Sequence, residues 1–219
     1  MKKEGMNTGV IVVLNKKNIN HIPEIYNFLK KEDISFKANP LIKGGRAIEN
    51  YKDLSITPKE YGKALIELFD LWYNDFDDMN FTCSTVEELL GNITTQHPRG
   101  CDFRSGCQEH YISVSPNGEV YPCGRFSSDT PEYCLGNINK NSLEEIFEEK
   151  AKKKLLERTA EVIKECKPCE YKEICNSGCM HNAYMKDGNI MGRDFYCTGY
   201  KMILNHIKSA VKKDLNIQD

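Results

Sequence analysis

At 219 residues the chain is long enough to bury a core without covalent staples, so its ten cysteines need another explanation. Thirty Lys and Arg against 32 Asp and Glu leave a formal net charge of -2, which excludes the basic excess of a protein built around nucleic acid. The longest apolar run, Gly9 to Leu14, is far too short to cross a membrane, and no secretory apolar segment follows Met1-Lys2-Lys3. The expected place is therefore the cytoplasm, where clustered cysteines mean metal or catalysis rather than disulfides.

In chain order, the β-branched run Gly9 to Leu14 predicts a fully buried strand. Ile19, Ile22, Ile25, Tyr26, Phe28 and Leu29 recur at helical spacing and predict an amphipathic helix over 19–31. A second strand over 34–41 ends before Gly44-Gly45, a plain turn. Together these make one βαβ unit with parallel pairing and a right-handed crossover. Two strands alone do not hold a sheet, so the unit either packs on something later in the chain or is the edge of a larger α/β domain. Thr57-Pro58-Lys59-Glu60 is a capping box, opening a helix to Asp75 that carries Tyr61, Leu65, Leu68, Phe69 and Trp72 on one face. A short helix around 86–90 follows, with Ser84 or Thr85 as its cap.

The texture then changes. Tyr111 to Ser115 and Glu119 to Tyr121, joined by Pro116-Asn117-Gly118, predict a hairpin whose Asn-Gly supplies positive φ angles. A long polar helix is expected over 143–164, capped by Ser142, with the run Lys150 to Lys154 paired to Glu144, Glu145, Glu148 and Glu149 on a solvated face. A closing helix over 199–213 carries Ile203, Ile207, Ala210 and Val211 on one side. The fold class is α+β, with one region over 1–80 and a second over 81–219.

Every cysteine falls in the second region. Cys166-x2-Cys169-x5-Cys175-x3-Cys179 suits an iron-sulfur cube, whose irons need thiolates from several directions. Gly178 suits the close backbone approach this requires. A four-cysteine zinc site would use the same thiolates at tetrahedral geometry. The hairpin brings Cys107 and Cys123 toward each other, with Cys101 just upstream, and these three lack a fourth donor. In two-cluster ferredoxins the last cysteine of a run serves the other cluster. If Cys179 does so here, Cys197 is the next donor for Cys166, Cys169 and Cys175. Cys83 and Cys134 are then left as small buried hydrophobes. Spacing alone leaves this pairing as one option among several.

The series Cys107-x10-Gly118-x4-Cys123, Cys166-x2-Cys169-x5-Cys175-x3-Cys179 and Cys197 resembles the seven-cysteine SPASM domain, the C-terminal extension of radical SAM enzymes that modify peptides and proteins. The resemblance includes the anaerobic sulfatase maturases, which have a further upstream cysteine matching Cys101. It implies two auxiliary 4Fe-4S clusters, one on Cys101, Cys107, Cys123 and Cys179, the other on Cys166, Cys169, Cys175 and Cys197. More weakly, residues 9–41 resemble the last βαβ unit of the partial (β/α)6 barrel that holds S-adenosylmethionine in those enzymes.

Two departures limit what the resemblance implies. No Cys-x3-Cys-x2-Cys loop is present, so the chain by itself is not expected to cleave S-adenosylmethionine; that cofactor requires a radical SAM N-terminal region or a partner chain. Sulfatase maturases also carry an aspartate, the proposed acceptor of the substrate proton, where this sequence has Gly124, which cannot take a proton. The surroundings of Cys107 and Cys123 are closer to maturases that crosslink ribosomally made peptides. The implied protein is an oxidoreductase part with no catalytic residue of its own. Its partners are a peptide or protein substrate and an electron donor or acceptor protein, with no nucleic acid and no membrane. A stand-alone two-cluster electron carrier and a zinc-stabilised interaction module are the competing readings.

Among other residues, Arg125 could hold a substrate carboxylate or a cluster sulfide, or be an ordinary surface arginine. His21, His97, His110, His181 and His206 show no pair at metal-ligand spacing, and His181 reads as a neighbour of ligands rather than a ligand.

Overall fold

The computed structural model describes residues 8–75, 81–104, 107–153 and 155–216. The expected boundary after residue 80 and Lys154 of the lysine run lie outside the described residues. The elements are β1 (Gly9–Leu14), α1 (Ile22–Lys31), β2 (Ser35–Pro40), α2 (Ala47–Leu54), α3 (Pro58–Asn74), α4 (Ser84–Thr95), α5 (Cys107–His110), β3 (Ser113–Val114), β4 (Glu119–Tyr121), β5 (Gly136–Asn137), α6 (Leu143–Lys152), α7 (Lys172–Cys175), α8 (Met180–Asp187) and α9 (Cys197–Asp214). They form two compact units, one of residues 1–41, 52–100 and 196–219, the other of 42–51 and 101–195.

In the first unit β1 and β2 pair in parallel, from Gly9 opposite Ser35 to Leu14 opposite Pro40, with α1 as the crossover burying Ile22, Tyr26 and Leu29. The far edge of β2 is covered by later residues. Phe36 N–H donates to Thr82 O at 3.0 Å, and Cys83 bridges Phe36 in parallel. The Thr85 hydroxyl accepts from Ala38 N at 2.9 Å and donates to Ala38 O at 3.0 Å. That use of Thr85 explains why α4 differs from expectation. It runs twelve residues, and its N-cap is Cys83 without a side-chain cap bond, because the Ser84 and Thr85 hydroxyls both serve β2.

The expectation that β1 is fully buried does not hold: Val10 is 41%, Ile11 65% and Val13 42% exposed, and only Leu14 is buried. A β-branched run fixes strand conformation but not what lies against it. Among the described residues no strand lies along the outer edge of β1.

The capping box of α3 is formed as expected. Glu60 N–H donates to Thr57 Oγ1 at 3.2 Å, and Thr57 N–H to Glu60 Oε2 at 2.6 Å. The helix buries Tyr61, Leu65, Leu68, Phe69 and Trp72. It meets α9 at two glycines, where a Cβ on Gly62 would lie 2.8 Å from Gly199 Cα, so only glycine permits this approach. Tyr61 then packs edge-on against Tyr196 and Tyr200 at 5.1 and 5.9 Å.

The second unit contains an antiparallel sheet in the order β3-β4-β5. The hairpin forms with shorter strands than expected, and β5 adds a third. In its turn only Gly118 has positive φ (85°), Asn117 does not, because Ser115 N–H closes on Glu119 O at 2.8 Å and Gly118 N–H on Ser115 O at 2.8 Å. Ser142 caps α6, accepting from Glu145 N at 3.2 Å.

The helix expected to run to residue 164 stops at Lys152, and 155–157 form a separate 3-10 turn. Nor is the lysine run a wholly solvated face. Lys150, only 8% exposed, turns inward to donate from Nζ to Tyr111 O at 3.0 Å, instead of lying on the solvated face where Lys153 meets Glu149 at 3.2 Å. Past the break Arg158 is buried as well, bonded to oxygens of Ser177, Gly178, Ile190 and Gly192, so the chain there follows tertiary contacts and not a solvated helix. The core beneath is Tyr121, Phe126, Leu155, Met180 and Ile190, with Cys107, Cys123 and Cys134 packed against it. No helix among the described residues is long and apolar enough to cross a membrane.

Candidate functional site

Cys101, Cys107, Cys123 and Cys179, far apart in sequence, line a single cavity of about 470 Å³ in the second unit. Cys107 opens α5, and Cys123 follows β4 in a turn closed by Phe126 N–H to Cys123 O at 3.0 Å. Cys179 is the N-cap of α8, and its N–H donates to the buried Asp194 Oδ2 at 2.7 Å. The same carboxylate oxygen accepts from Asn182 Nδ2 at 3.1 Å.

Arg125, two residues past Cys123, donates to Cys179 Sγ at 3.2 Å and Asn182 Oδ1 at 3.3 Å, and its other terminal nitrogen lies 2.9 Å from Asp102 Oδ1. It is thus part of the cavity wall, not an ordinary surface arginine. Gly124 also lines the cavity, and a Cβ there would meet only Ser113 Oγ, at 3.9 Å.

Burial pushes the Cys179 thiol up to about 12 against the opposing pull of Arg125, and burial raises Cys123 against backbone donors and Arg125. Undisturbed, these thiols hold their protons, so a metal group must displace them, and its own charge reverses the preference for the neutral form. Lys150 lies close enough to Cys107 and Cys123 for their charges to oppose the fall that burial imposes on it.

The remaining expected donors are placed as follows. Cys169 N–H closes a turn on Cys166 O at 2.9 Å, and Cys175 ends α7 with its N–H on Tyr171 O at 2.9 Å. Cys166 is buried, which raises its thiol while Arg158 opposes. Cys197 is the first residue of α9 and belongs to the first unit. Cys83 is fully buried and pushed up to about 12 by that burial, and Cys134 packs on the Tyr121–Phe126 core. Cys83 sits as a small buried hydrophobe, while the half-buried Cys134 donates from Sγ to Gly136 O at 3.5 Å.

Among the described residues no three His, Cys, Asp or Glu side chains converge closely enough to hold one metal ion. The four thiols line a cavity of about 470 Å³, which has room for a group larger than an ion. The His181 ring packs edge-on against Phe126 at 5.0 Å, and burial lowers its pKa to about 4.

Nothing local in the sequence marks Arg158, Asp194 or Lys150 as internal: each lies beside other charged residues, Lys150 in the lysine run, and only the fold buries it. Between Cys175 and Cys179, Asn176, Ser177 and Gly178 all have left-handed φ values of 45°, 70° and 70°.

Cysteines gathered on a small sheet and short helices around a large cavity make this unit a candidate thiolate metal-binding domain. Residues 105–170 match the SPASM family, described as an iron-sulfur cluster-binding domain. The chain is 29% identical over 194 residues to a cysteine-type anaerobic sulfatase-maturating enzyme of Clostridium novyi (strain NT), covering 88% of this chain and 51% of that enzyme. Its fold is similar to that of a polyhistidine-tagged anSMEcpe with bound AdoMet, with a TM-score of 0.76 and 26% identity over 100% of this chain and 57% of that one. It is also similar to native anSMEcpe with bound AdoMet and Kp18Cys peptide, with a TM-score of 0.73 and 24% identity over 98% and 59%. The chain carries a SPASM domain and is related to the anaerobic sulfatase-maturating enzymes, spanning about half the length of the relatives it matches.

Proposed function

We propose that this chain is the C-terminal part of a radical SAM/SPASM enzyme that modifies peptides or proteins, and that it holds two auxiliary 4Fe-4S clusters. One would rest on Cys101, Cys107, Cys123 and Cys179, the other on Cys166, Cys169, Cys175 and Cys197. The observation that carries this reading is the meeting of the first four thiols around one cavity with room for a group larger than an ion. In the same reading residues 1–80 are the end of a partial barrel and 81–219 the auxiliary domain.

When bound, such clusters supply a path for electrons leaving an oxidised substrate. The chain's own residues position and insulate. Asp194 fixes the Cys179 backbone, Arg125 ties the Cys123 turn to Cys179 and Asp102, and Lys150 adds a buried positive charge beside Cys107 and Cys123. A relative solved with a bound peptide supports a peptide or protein substrate. Gly124 offers no proton acceptor, which argues against formylglycine formation by that route, and the surroundings of Cys107 and Cys123 favour a crosslinking type of oxidation. S-adenosylmethionine chemistry would require a Cys-x3-Cys-x2-Cys loop supplied from outside this sequence.

Anaerobic expression with iron, sulfide and zinc analysis tests the proposal. About eight irons per chain are expected. Stoichiometric zinc without visible absorbance would refute it in favour of a zinc-stabilised module.

A further inference from the structure

Arg158 is 5% exposed and makes five hydrogen bonds. Nε donates to Ile190 O at 2.6 Å, Nη1 to Ser177 Oγ and to Gly178 O at 2.9 Å, and Nη2 to Ser177 O at 2.8 Å and Gly192 O at 3.1 Å. A guanidinium has five N–H donors, and here all of them are used. Three of the bonds end on the left-handed turn that joins Cys175 to Cys179. Such backbone is costly unless its surroundings hold it, and Arg158 does so from inside.

The same side chain lines the cavity of Cys101, Cys107, Cys123 and Cys179. Its charge interacts first with the buried Asp194 carboxylate, then with Cys179 of the first proposed ligand set and with Cys166 and Cys175 of the second, so removing it would leave Asp194 as an uncompensated anion beside both sets.

We propose that Arg158 is a positioning residue for both proposed cluster sites: it fixes the Cys175–Cys179 turn and sets one buried positive charge facing both ligand sets, raising the reduction potentials of the groups they hold. The inference rests on the two-cluster reading above. One-electron reduction adds a negative charge to a cluster, and a cation in a poorly screened interior favours that state. Because every N–H is committed to protein oxygens, Arg158 acts on a cluster through its field and not as a hydrogen-bond donor to it. A lysine would keep the charge but has only three donors on one nitrogen, so it separates the two roles.

The test compares wild type, Arg158→Lys and Arg158→Gln as full-length, anaerobically reconstituted chains. It measures iron and sulfide content, thermal unfolding, and cluster potentials by optical and EPR redox titration. Arg158→Lys is expected to unfold at lower temperature with potentials close to wild type. Arg158→Gln is expected to shift the potentials of its retained clusters to more negative values. If Arg158→Gln holds too little iron to titrate, Arg158→Lys decides: wild-type potentials on a destabilised chain support the inference, and potentials displaced negatively overturn it. Potentials unchanged in an iron-loaded Arg158→Gln also overturn it, leaving Arg158 a purely structural residue. A wild-type chain without iron and sulfide would instead overturn the two-cluster reading and this inference with it, before any variant is compared.

Discussion

Replacing Gly178 by alanine acts on the turn that sets Cys179, in two separable ways. A left-handed φ of 70° costs a residue with a Cβ about 1 to 2 kcal/mol. The new Cβ would also lie 2.6 Å from Asp194 Oδ2 and 2.7 Å from Asp194 Cβ, so Asp194 must withdraw. That weakens the bonds its carboxylate accepts from Cys179 N and Asn182 Nδ2. Losing a buried hydrogen bond to a charged group costs about 1.5 to 3 kcal/mol, so the total destabilisation is about 2.5 to 5 kcal/mol. Gly188, at the C-terminus of α8, has nearly the same φ of 71° but nothing within 4 Å of its would-be Cβ. Gly188→Ala therefore isolates the backbone cost, about 1 to 2 kcal/mol. Urea unfolding of both variants under anaerobic conditions, with the midpoint read at constant m-value, gives the comparison. Gly178→Ala should be the less stable by about 2 kcal/mol and should retain less iron. Equal midpoints would refute the role given to Asp194.

Cys179→Ala should remove the cluster on Cys101, Cys107 and Cys123 and spare the one on its sequence neighbours; EPR of the reduced protein checks this, and loss of the other signal alone would reverse the pairing. Cys83→Ala should leave iron content unchanged and cost about 1 kcal/mol of stability for the lost buried volume, measured by chemical denaturation. Thr57→Ala should cost about 1 kcal/mol through the lost α3 cap. The Thr57 backbone bond, then its hydroxyl, hold the Glu60 carboxyl below its ordinary value of 4.5. Its contribution is therefore present above pH 4.5 and lost as the pH falls through the depressed value. An NMR titration of Glu60 should show that low midpoint in wild type and only a partial rise in Thr57→Ala, which removes the hydroxyl but keeps the backbone N–H that Glu60 accepts from.

Features governed by contacts close in sequence were legible in advance. The α3 capping box depends on residues three apart, and the βαβ unit on the change of apolar period from strand to helix. The gathering of Cys107 and Cys123 depends on one hairpin. The helix expected through residue 164 was misread because its lysines and glutamates have helical spacing, and nothing local shows that Lys150 and Arg158 turn inward. Arg125 was ambiguous for the same reason, since its partners Asp102, Cys179 and Asn182 come from separate segments.

By itself the sequence determined the kind of chemistry. Eight thiols at these spacings, in a chain that has no need of covalent staples, indicate metal centres, and the absent Cys-x3-Cys-x2-Cys loop limits what the chain can do alone. The tertiary structure decided which thiols share a cavity and which charges sit beside them. A thiol's reactivity and a cluster's potential depend on burial and on cations a few ångströms away, and the fold brings those cations from positions that are distant along the chain.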